Sequence, residues 1–255
     1  MPTAQRLLTI DCGNSTIRCR RDDGGIWTTA STSPDFGDFA EFVAPAAAGK
    51  PDVRAVAVSV VDSALGAIRA ELEHLTVPLA VADADLPCPL PLAYDTVATL
   101  GADRWLGAFA AFEQIADRSH PVVTVDCGTA TTVNVVDGEG TFHGGAIAPG
   151  LAAFVAGLAS KAPALPPADL DAAPVVPAKS TQGSVDAGVL LGWAGLVERL
   201  VAAAQESLAT DAVVVLTGGN AQRLLRLSGT AQSSGWQHVP ELLHDGLAAL
   251  AQRAT

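Results

Sequence analysis

The sequence predicts an α/β protein of two similar lobes, each a mixed sheet flanked by helices, which face each other across a central cleft. The first observation is a repeat: residues 7–19 (LLTIDCGNSTIRC) and 122–134 (VVTVDCGTATTVN) share five identities at a separation of 115 positions. Each copy also reads as an apolar strand, an Asp-x-Gly turn and a second strand that leads to an Asp-Gly pair, which favours a tight hairpin. Finally, helix and strand patterns mix after each copy, as in α/β proteins.

The first lobe is assigned to residues 1–117. Hydrophobic periodicity, turn residues and helix-start signals predict a meander of strands followed by alternating strands and helices. The predicted elements are three strands across 6–34, a short helix in 35–48, a strand at 54–61, a helix from 62 to about 75, a strand at 77–83, a Pro-rich loop at 84–92 and a helix at 103–116.

The second lobe is assigned to residues 118–255, and it begins with the second copy of the repeat. The same signals predict another meander, after which helices dominate. The predicted elements are strands across 121–136, a Gly-rich strand end and turn at 144–150, a helix at 151–160, an extended connection at 162–179, a long apolar helix at 185–208, a strand at 213–221 followed by a short helix, and a last helix at 239–253.

Charge and composition argue against several classes of protein. The net charge is −12, and the only basic cluster is Arg18, Arg20 and Arg21 on one strand, which is more typical of a solvated face than of a nucleic-acid site. The apolar stretch at 146–159 is short and interrupted by Pro149 and glycines, so no membrane partner is expected.

The cysteines do not indicate a metal site. They form no Cys-x-x-Cys pair and no histidine cluster accompanies them, so zinc is not expected. Two of them lie between Asp and Gly in the repeat, where a small buried residue is a more economical interpretation than a nucleophile. The four positions are Cys12, Cys19, Cys88 and Cys127.

The repeated acidic turns are suited to phosphoryl transfer. Asp11 and Asp126 each end a strand and are followed by glycine and by short hydroxyl or amide side chains. Carboxylates hold hard cations, glycine admits a ligand close to the backbone, and hydroxyl groups donate to phosphate oxygens. An ordinary Asx turn is the alternative for one copy, and two matched copies weigh against it.

A third candidate is the segment Leu100–Trp105 at the start of a predicted helix. Asp103 could accept a proton from a substrate hydroxyl, and Arg104 could hold a substrate carboxylate or phosphate with two hydrogen bonds. The alternative is that Asp103 only stabilises the helix N-terminus.

Two further segments are weaker candidates. Thr217-Gly218-Gly219-Asn220 joins a strand to a helix, and its glycines leave room for a flat ligand such as a nucleotide base, although a tight connection has the same sequence. Ser180 or Thr181 either faces the cleft or simply begins the long helix.

Together these segments resemble type III pantothenate kinase, a family of the acetate/sugar kinase–Hsp70–actin superfamily, over nearly the whole chain. The combination, in order and spacing, is more specific than any single motif. The matching segments are Asp11–Arg18, Tyr94 with Gly101–Arg104, Asp126–Thr132, Gly144–Gly150, Ser180-Thr181 and Thr217–Gly219.

The resemblance implies an actin-like (ribonuclease H-like) fold and ATP-dependent phosphorylation of pantothenate to 4′-phosphopantothenate, the first step of coenzyme A biosynthesis. It implies a homodimer whose pantothenate pocket borders the partner subunit. The cytoplasm is the expected compartment, because neither a signal peptide nor a membrane span is predicted. Asp103 would be the general base toward the pantothenate hydroxyl, Asp11 would serve Mg²⁺ through water, and Asp126 would bind a monovalent cation, K⁺ or NH₄⁺.

The same resemblance implies two sets of ligand-binding residues. Those expected to bind ATP are Asp11, Gly13, Asn14, Ser15, Thr16, Arg18, Thr129, Gly218 and Gly219. Those expected to bind pantothenate are Tyr94, Gly101, Ala102, Asp103, Arg104 and Thr181.

Three positions depart from the family pattern: Arg18 stands where many members have lysine, Val97 where proline is frequent, and Asn134 where many have aspartate. Three alternatives are another small-molecule kinase of the superfamily, a regulatory protein like the Bvg accessory factors, and a purely structural actin-like module. Tyr94 with Gly101–Arg104 argues against the first and third, and the retained acidic residues argue against a protein without turnover.

Overall fold

The computed structural model describes residues 6–44, 53–116, 118, 120–208 and 210–254. They form two compact units that are discontinuous in sequence. The first contains the described residues up to Pro91, with Thr96–Ala110 and the C-terminal segment from Glu241, and the second contains Leu92–Asp95 and Ala111–Pro240. The division near residue 118 stays a prediction, because compactness alone does not show which segments fold independently. The end predicted for the helix in 35–48 lies outside the described residues.

The first unit is built on a five-stranded mixed sheet with the order β3-β2-β1-β4-β5. The central strand β1 pairs antiparallel with β2 and parallel with β4, and the outer pairs continue these two directions. The strands are β1 (Arg6–Cys12), β2 (Thr16–Arg21), β3 (Ile26–Ala30), β4 (Val53–Ser59) and β5 (Leu79–Val81).

The second unit repeats this topology in a sheet with the order β10-β9-β6-β7-β8. Its central strand β6 pairs antiparallel with β7 and parallel with β9, as β1 does with β2 and β4. The duplication therefore extends beyond the repeated sequence, and the prediction of two mixed sheets is confirmed. The strands are β6 (Val122–Cys127), β7 (Ala130–Val136), β8 (Phe142–Pro149), β9 (Val213–Thr217) and β10 (Gln237–His238).

The helices agree with the predicted pattern, with a few differences. The long helix begins four residues earlier than predicted, at Thr181, and β10 and a short helix before it were not predicted. The helices are α1 (Phe39–Val43), α2 (Asp62–His74), α3 (Ala102–Gln114), α4 (Leu151–Lys161), α5 (Thr181–Leu208), α6 (Ala221–Leu227), α7 (Gly229–Ser233) and α8 (Leu242–Arg253), with a 3-10 turn at Val97–Thr99.

Alternation along β1 decides which side chains enter the core of the first unit. Leu8, Ile10 and Cys12 are buried on one face with α1 and α2. Because successive strand residues point to opposite faces, Thr9 and Asp11 lie on the other face, which is covered by α8 along β1 and β4. The sheet thus places Asp11 at the end of a rigid, buried central strand.

The last helix, α8, is attached to that polar face by charged pairs. Arg18 Nη2 lies 2.6 Å from Glu241 Oε1, and Arg20 Nη1 lies 2.8 Å from Asp245 Oδ1. The interpretation of these arginines as a solvated face is therefore wrong. Two basic residues at strand spacing meet two acidic residues at helix spacing.

In the second unit, α5 supplies much of the core. Its residues at four-residue spacing, Val185, Val189, Trp193, Val197 and Val201, are buried. Trp193 Nε1 donates a hydrogen bond to Thr131 Oγ1 at 3.2 Å. By length and composition α5 could cross a membrane, yet 44% of its apolar 18-residue stretch is buried in the protein, and core helices of globular proteins have the same composition.

Candidate active site

The turn after β1 is held by its backbone and presents its polar side chains outward. Gly13 N–H donates to Thr16 O at 3.0 Å, and Ser31 Oγ donates to Gly13 O at 2.6 Å. Asn14, Ser15 and Thr16 are exposed, while Asp11 behind them is partly buried. We call residues 11–16 the first tip. The first tip therefore combines exposed hydroxyl and amide side chains with a partly buried carboxylate.

Asp103 lies in the first turn of α3 and is partly buried. Burial raises the pKa of its carboxyl group, although a hydrogen bond from the Arg104 backbone N–H to Oδ1, 2.9 Å long, opposes the shift. A methyl group at Gly101 would lie 2.6 Å from this oxygen, so glycine there leaves room for the carboxylate. Arg104 itself is only 8% exposed.

The first tip and Asp103 lie at the same end of the first sheet. Val60 follows β4, and its N–H donates to Cys12 O at 3.2 Å. A methyl group at Gly101 would lie 3.9 Å from Val60 Cγ1. One residue thus contacts the strand end that carries Asp11 and lies near the segment that carries Asp103.

Arg18 faces Asp11 across the β1–β2 pair, where their Cα atoms are in register. Its guanidinium is held by Glu241, which sequence reasoning did not include among the site residues. The role of Arg18 in ATP binding stays a prediction, and Glu241 is the group that fixes its present orientation.

The turn after β6, residues 126–129, is the second tip, and glycines enclose it. A methyl group at Gly218, whose φ is +85°, would lie 2.2 Å from Asp126 Oδ1, and one at Gly128 would lie 3.2 Å from it. One at Gly150 would lie 2.3 Å from Thr129 O. The Gly-Gly turn after β9 therefore packs directly on the acidic residue, which the sequence alone did not indicate.

The Cys residues beside the two tips have the predicted small, buried role. Cys12 and Cys127 are fully buried. Burial, together with the neighbouring Asp11, raises the pKa of the Cys12 thiol to about 12, and burial also raises the pKa of the Cys127 thiol. Thiols that stay protonated at neutral pH are poor nucleophiles.

Tyr94 belongs to the second unit, where it packs against β8. Ala93 N–H donates to Phe142 O at 2.9 Å, and the Tyr94 and Phe142 ring centres are 6.2 Å apart. A methyl group at Gly144, whose φ is +80°, would lie 2.8 Å from the Tyr94 ring. The motif glycine thus allows the tyrosine to lie on the strand.

Thr181 is the exposed first residue of α5, and Ser180 performs the capping role. Ser180 Oγ accepts a hydrogen bond from Gly183 N–H at 3.1 Å. Of the two hydroxyl groups considered from sequence, that of Ser180 serves the helix. Binding of substrate by Thr181 stays a prediction.

Asn134, one of the departures from the family pattern, is buried on β7. Its Nδ2 lies 3.5 Å from both Thr124 Oγ1 and Thr132 Oγ1. A neutral amide can donate to these hydroxyl groups without the cost of burying a charge. The position is therefore compatible with its environment and lies on the strand pair that carries Asp126.

The site residues are divided between the two units. The first unit contains Asp11, Gly13, Asn14, Ser15, Thr16, Arg18, Gly101, Ala102, Asp103 and Arg104, and the second contains Tyr94, Asp126, Thr129, Thr181, Gly218 and Gly219. Within the part of the chain that the structure describes, no group of three or more His, Cys, Asp or Glu residues is arranged to hold a metal ion.

Comparison with known proteins gives a consistent result. A family model described as type III pantothenate kinase matches residues 7–203. The type III pantothenate kinase of Nitratidesulfovibrio vulgaris (strain DP4) is 34% identical over 261 residues, which cover 97% of each chain. That of Acidiphilium cryptum (strain JF-5) is 34% identical over 259 residues, which cover 96% of this chain and 94% of the relative.

Solved structures of low sequence identity share the fold. MreB 5 of Spiroplasma citri, in a crystal structure with bound AMPPNP, superposes with a TM-score of 0.54 at 10% identity and covers 99% of this chain and 98% of its own. Such a likeness concerns the fold alone, and it confirms the prediction of an actin-like fold.

Proposed function

Because the chain belongs to the type III pantothenate kinase family, we propose that it phosphorylates pantothenate to 4′-phosphopantothenate with ATP, with Asp103 as general base. This is the first step of coenzyme A biosynthesis, and we place it in the cytoplasm. The observation that carries the catalytic assignment is the location of Asp103: it lies at the same end of one sheet as the first tip, in an environment that raises its pKa.

Asp103 acts on the acceptor hydroxyl. As the hydroxyl oxygen attacks the γ-phosphorus in line with the leaving oxygen, the carboxylate accepts the hydroxyl proton. A raised pKa strengthens a carboxylate as a base. Gly101 keeps the space beside Oδ1 open for this role, and Arg104 supplies a neighbouring positive charge for an anionic substrate.

Asp11 fits magnesium in the manner usual for kinases. Mg²⁺ is commonly bound by one or two carboxylates together with substrate phosphates and water, and a single strand-end carboxylate beside exposed hydroxyl groups matches that donor set. When bound, the metal offsets charge on the transferred phosphate. The exposed side chains of Asn14, Ser15 and Thr16 would donate to phosphate oxygens.

Asp126 fits a monovalent cation. Its carboxylate is enclosed by the glycine backbone at Gly128 and Gly218, so the available space suits a small ion better than a triphosphate. We assign K⁺ or NH₄⁺ to this carboxylate, and the Gly218-Gly219 turn beside it to the nucleotide.

The decisive experiment is a coupled ADP-release assay with and without pantothenate, in K⁺ and then in Na⁺. Asp103→Asn should lower kcat by about 10²-fold or more, the usual scale for a general base. Asp62→Asn is the matched control, because Asp62 also lies in the first turn of a helix and would reproduce any effect of helix stability. Turnover that ignores pantothenate, or equal losses in the two variants, would contradict the proposal.

A pH profile separates the base from a residue that only stabilises the helix. Because burial raises the pKa of Asp103, kcat/KM should fall as pH decreases through a value above the usual Asp range, as the base becomes protonated. Asp103→Asn should remove this acid limb from the residual activity. If the acid limb is unchanged in Asp103→Asn, it arises from the titration of another group.

We also assign a homodimer, formed through the outer face of α5. A groove of 470 Å³ there is lined by small and apolar residues, among them Val176, Gly188 and Leu191. Leu191→Glu should convert a dimer to a monomer in size-exclusion chromatography with light scattering. Leu165→Glu is the control, because Leu165 is equally exposed (38% against 37%) and does not line the groove. If Leu191→Glu remains a dimer, the interface does not lie on this face of α5.

A further inference from the structure

Arg223, in the first turn of α6, joins two segments that are far apart in sequence. Its Nη1 donates to Asn220 Oδ1 at 2.9 Å, and its Nη2 donates to Asp171 Oδ1 at 3.0 Å. Nε is buried and has no hydrogen-bond partner among the described residues. The guanidinium is therefore oriented so that Nη1 and Nη2 are hydrogen-bonded and Nε is not.

The Asn220 side of this contact leads to the second tip. Asn220 donates to Cys127 O twice, from its backbone N–H at 3.0 Å and from Nδ2 at 3.3 Å. Because Arg223 occupies the amide oxygen of Asn220, the amide nitrogen is directed at the strand end. Asn220 thus fixes the turn that contains Gly218 and Gly219 against the residue next to Asp126.

The Asp171 side leads to the start of α5. Asp171 N–H donates to Asp169 Oδ1 at 3.0 Å, and Asp169 N–H donates to Asp186 Oδ1 at 2.8 Å. The same Asp186 oxygen accepts from Gln182 Nε2 at 2.8 Å. A continuous series of hydrogen bonds therefore runs from the helix that begins at Thr181, through the Ala/Pro-rich connection, to the Gly-Gly turn.

We propose that Arg223 is a positioning residue of the kinase, an inference that rests on the proposed function. Through Asn220, Arg223 holds the Gly218-Gly219 turn in the position that binds the nucleotide. Asp171 directs the guanidinium from the other side. Asp171 is 86% exposed, and exposed ion pairs add little to folding stability. The effect of the pair should therefore appear in nucleotide affinity rather than in the stability of the fold.

The conservative variant Arg223→Lys tests this. Lysine keeps the charge but cannot make two directed hydrogen bonds from a planar group. The KM for ATP should rise about three- to tenfold, the range expected for the net loss of one ordinary hydrogen bond, while kcat at saturating ATP stays within about twofold. Asp171→Asn should raise the same KM less, and the double variant should show less than the sum, because both changes act on one guanidinium.

Glu206→Gln provides a matched control. Glu206 pairs with Arg199 at 3.2 Å, both side chains are 66% exposed, and both residues belong to α5 rather than to the turn. It should leave the KM for ATP and the melting temperature unchanged. If Arg223→Lys shifts the KM no more than Glu206→Gln, or if its shift is matched by a fall in melting temperature, Arg223 is merely structural.

Calorimetric titration with MgATP keeps this test separate from the proposed function. The ATP dissociation constants of Arg223→Lys and Asp171→Asn should rise as the KM does, whether or not pantothenate is the acceptor. Asp171 is exposed, so its variant provides a folded protein even if Arg223→Lys does not fold. Unchanged ATP affinity in Asp171→Asn would then overturn the proposal. If the unmodified protein shows no pantothenate-dependent turnover, that result would contradict the assigned reaction but not the role of Arg223.

Discussion

The two acidic tips have nearly the same sequence but different surroundings. At the first, a methyl group on Gly13 would meet only Thr16 O, at 3.5 Å, and the following side chains are exposed. At the second, methyl groups on Gly150 and Gly218 would overlap backbone or carboxylate atoms at less than 3 Å. Asp11 and Asp126 are both partly buried, so the difference between the tips lies in how closely glycine backbone packs on them: loosely at the first tip and tightly at the second.

This difference shows that a duplicated strand–turn–strand specifies the backbone, whereas the elements packed beside it specify the chemistry. The turns that follow β4 and β9 both reach the tip of the central strand through a backbone hydrogen bond, from Val60 to Cys12 and from Asn220 to Cys127. Only the second of them carries glycine against the acidic residue. The same topology therefore serves exchange of nucleotide at one tip and retention of a small ion at the other, under the proposed function.

The strongest test of this contrast is to add a methyl group at each tip. Gly218→Ala should cost about 2–4 kcal/mol of unfolding free energy, because alanine would combine a left-handed φ with overlap at 2.2 Å. Gly13→Ala should change it by less than about 1 kcal/mol, because no positive φ occurs there and the nearest atom is 3.5 Å away. Urea unfolding measures both, and similar losses would remove the distinction between a loosely packed and a tightly packed tip.

The carboxylates give the next largest effect. Asp11→Asn should lower kcat/KM for ATP by about 10²-fold, the scale of lost electrostatic stabilisation of transferred charge. Asp126→Asn should instead bring turnover in K⁺ and in Na⁺ to the same level. Assays of both variants across K⁺, Na⁺ and Mg²⁺ concentrations measure these dependences. If only Asp11→Asn loses the dependence on K⁺, the monovalent cation binds at the first tip and the assignment of the two carboxylates is reversed.

The sequence was sufficient for features whose signals are local. The repeated strands, the tips, the helix that starts before Asp103 and the burial of Cys12 and Cys127 follow from contiguous patterns of apolar, acidic and glycine residues. Contacts between distant segments could not be predicted in the same way. Arg18 and Glu241 are separated by 223 positions, and Gly218 gave no local sign that it would pack on Asp126.

The polar face of each central strand offers the last test of the contrast, through pH. In the first unit, Thr9 Oγ1 lies 2.9 Å from Nδ1 of the buried His244. Burial, with the charges of Arg20 and Arg18, lowers the pKa of this histidine to about 3. The equivalent Thr124 in the second unit contacts Asn134, which does not titrate.

The folded protein should therefore lose stability in acid through the first unit. Between pH 6.5 and 3 the unfolded chain binds a proton at His244 that the folded chain does not, so the unfolding free energy falls as pH decreases, by about 2 kcal/mol at pH 5. In His244→Asn that part of the dependence should vanish, because the amide can contact Thr9 without titrating. Hydrogen exchange at pH 5 should show β1 opening before β6 in the unmodified protein. Equal pH slopes for the two proteins would mean that His244 takes up its proton in the folded state without losing its contact with Thr9.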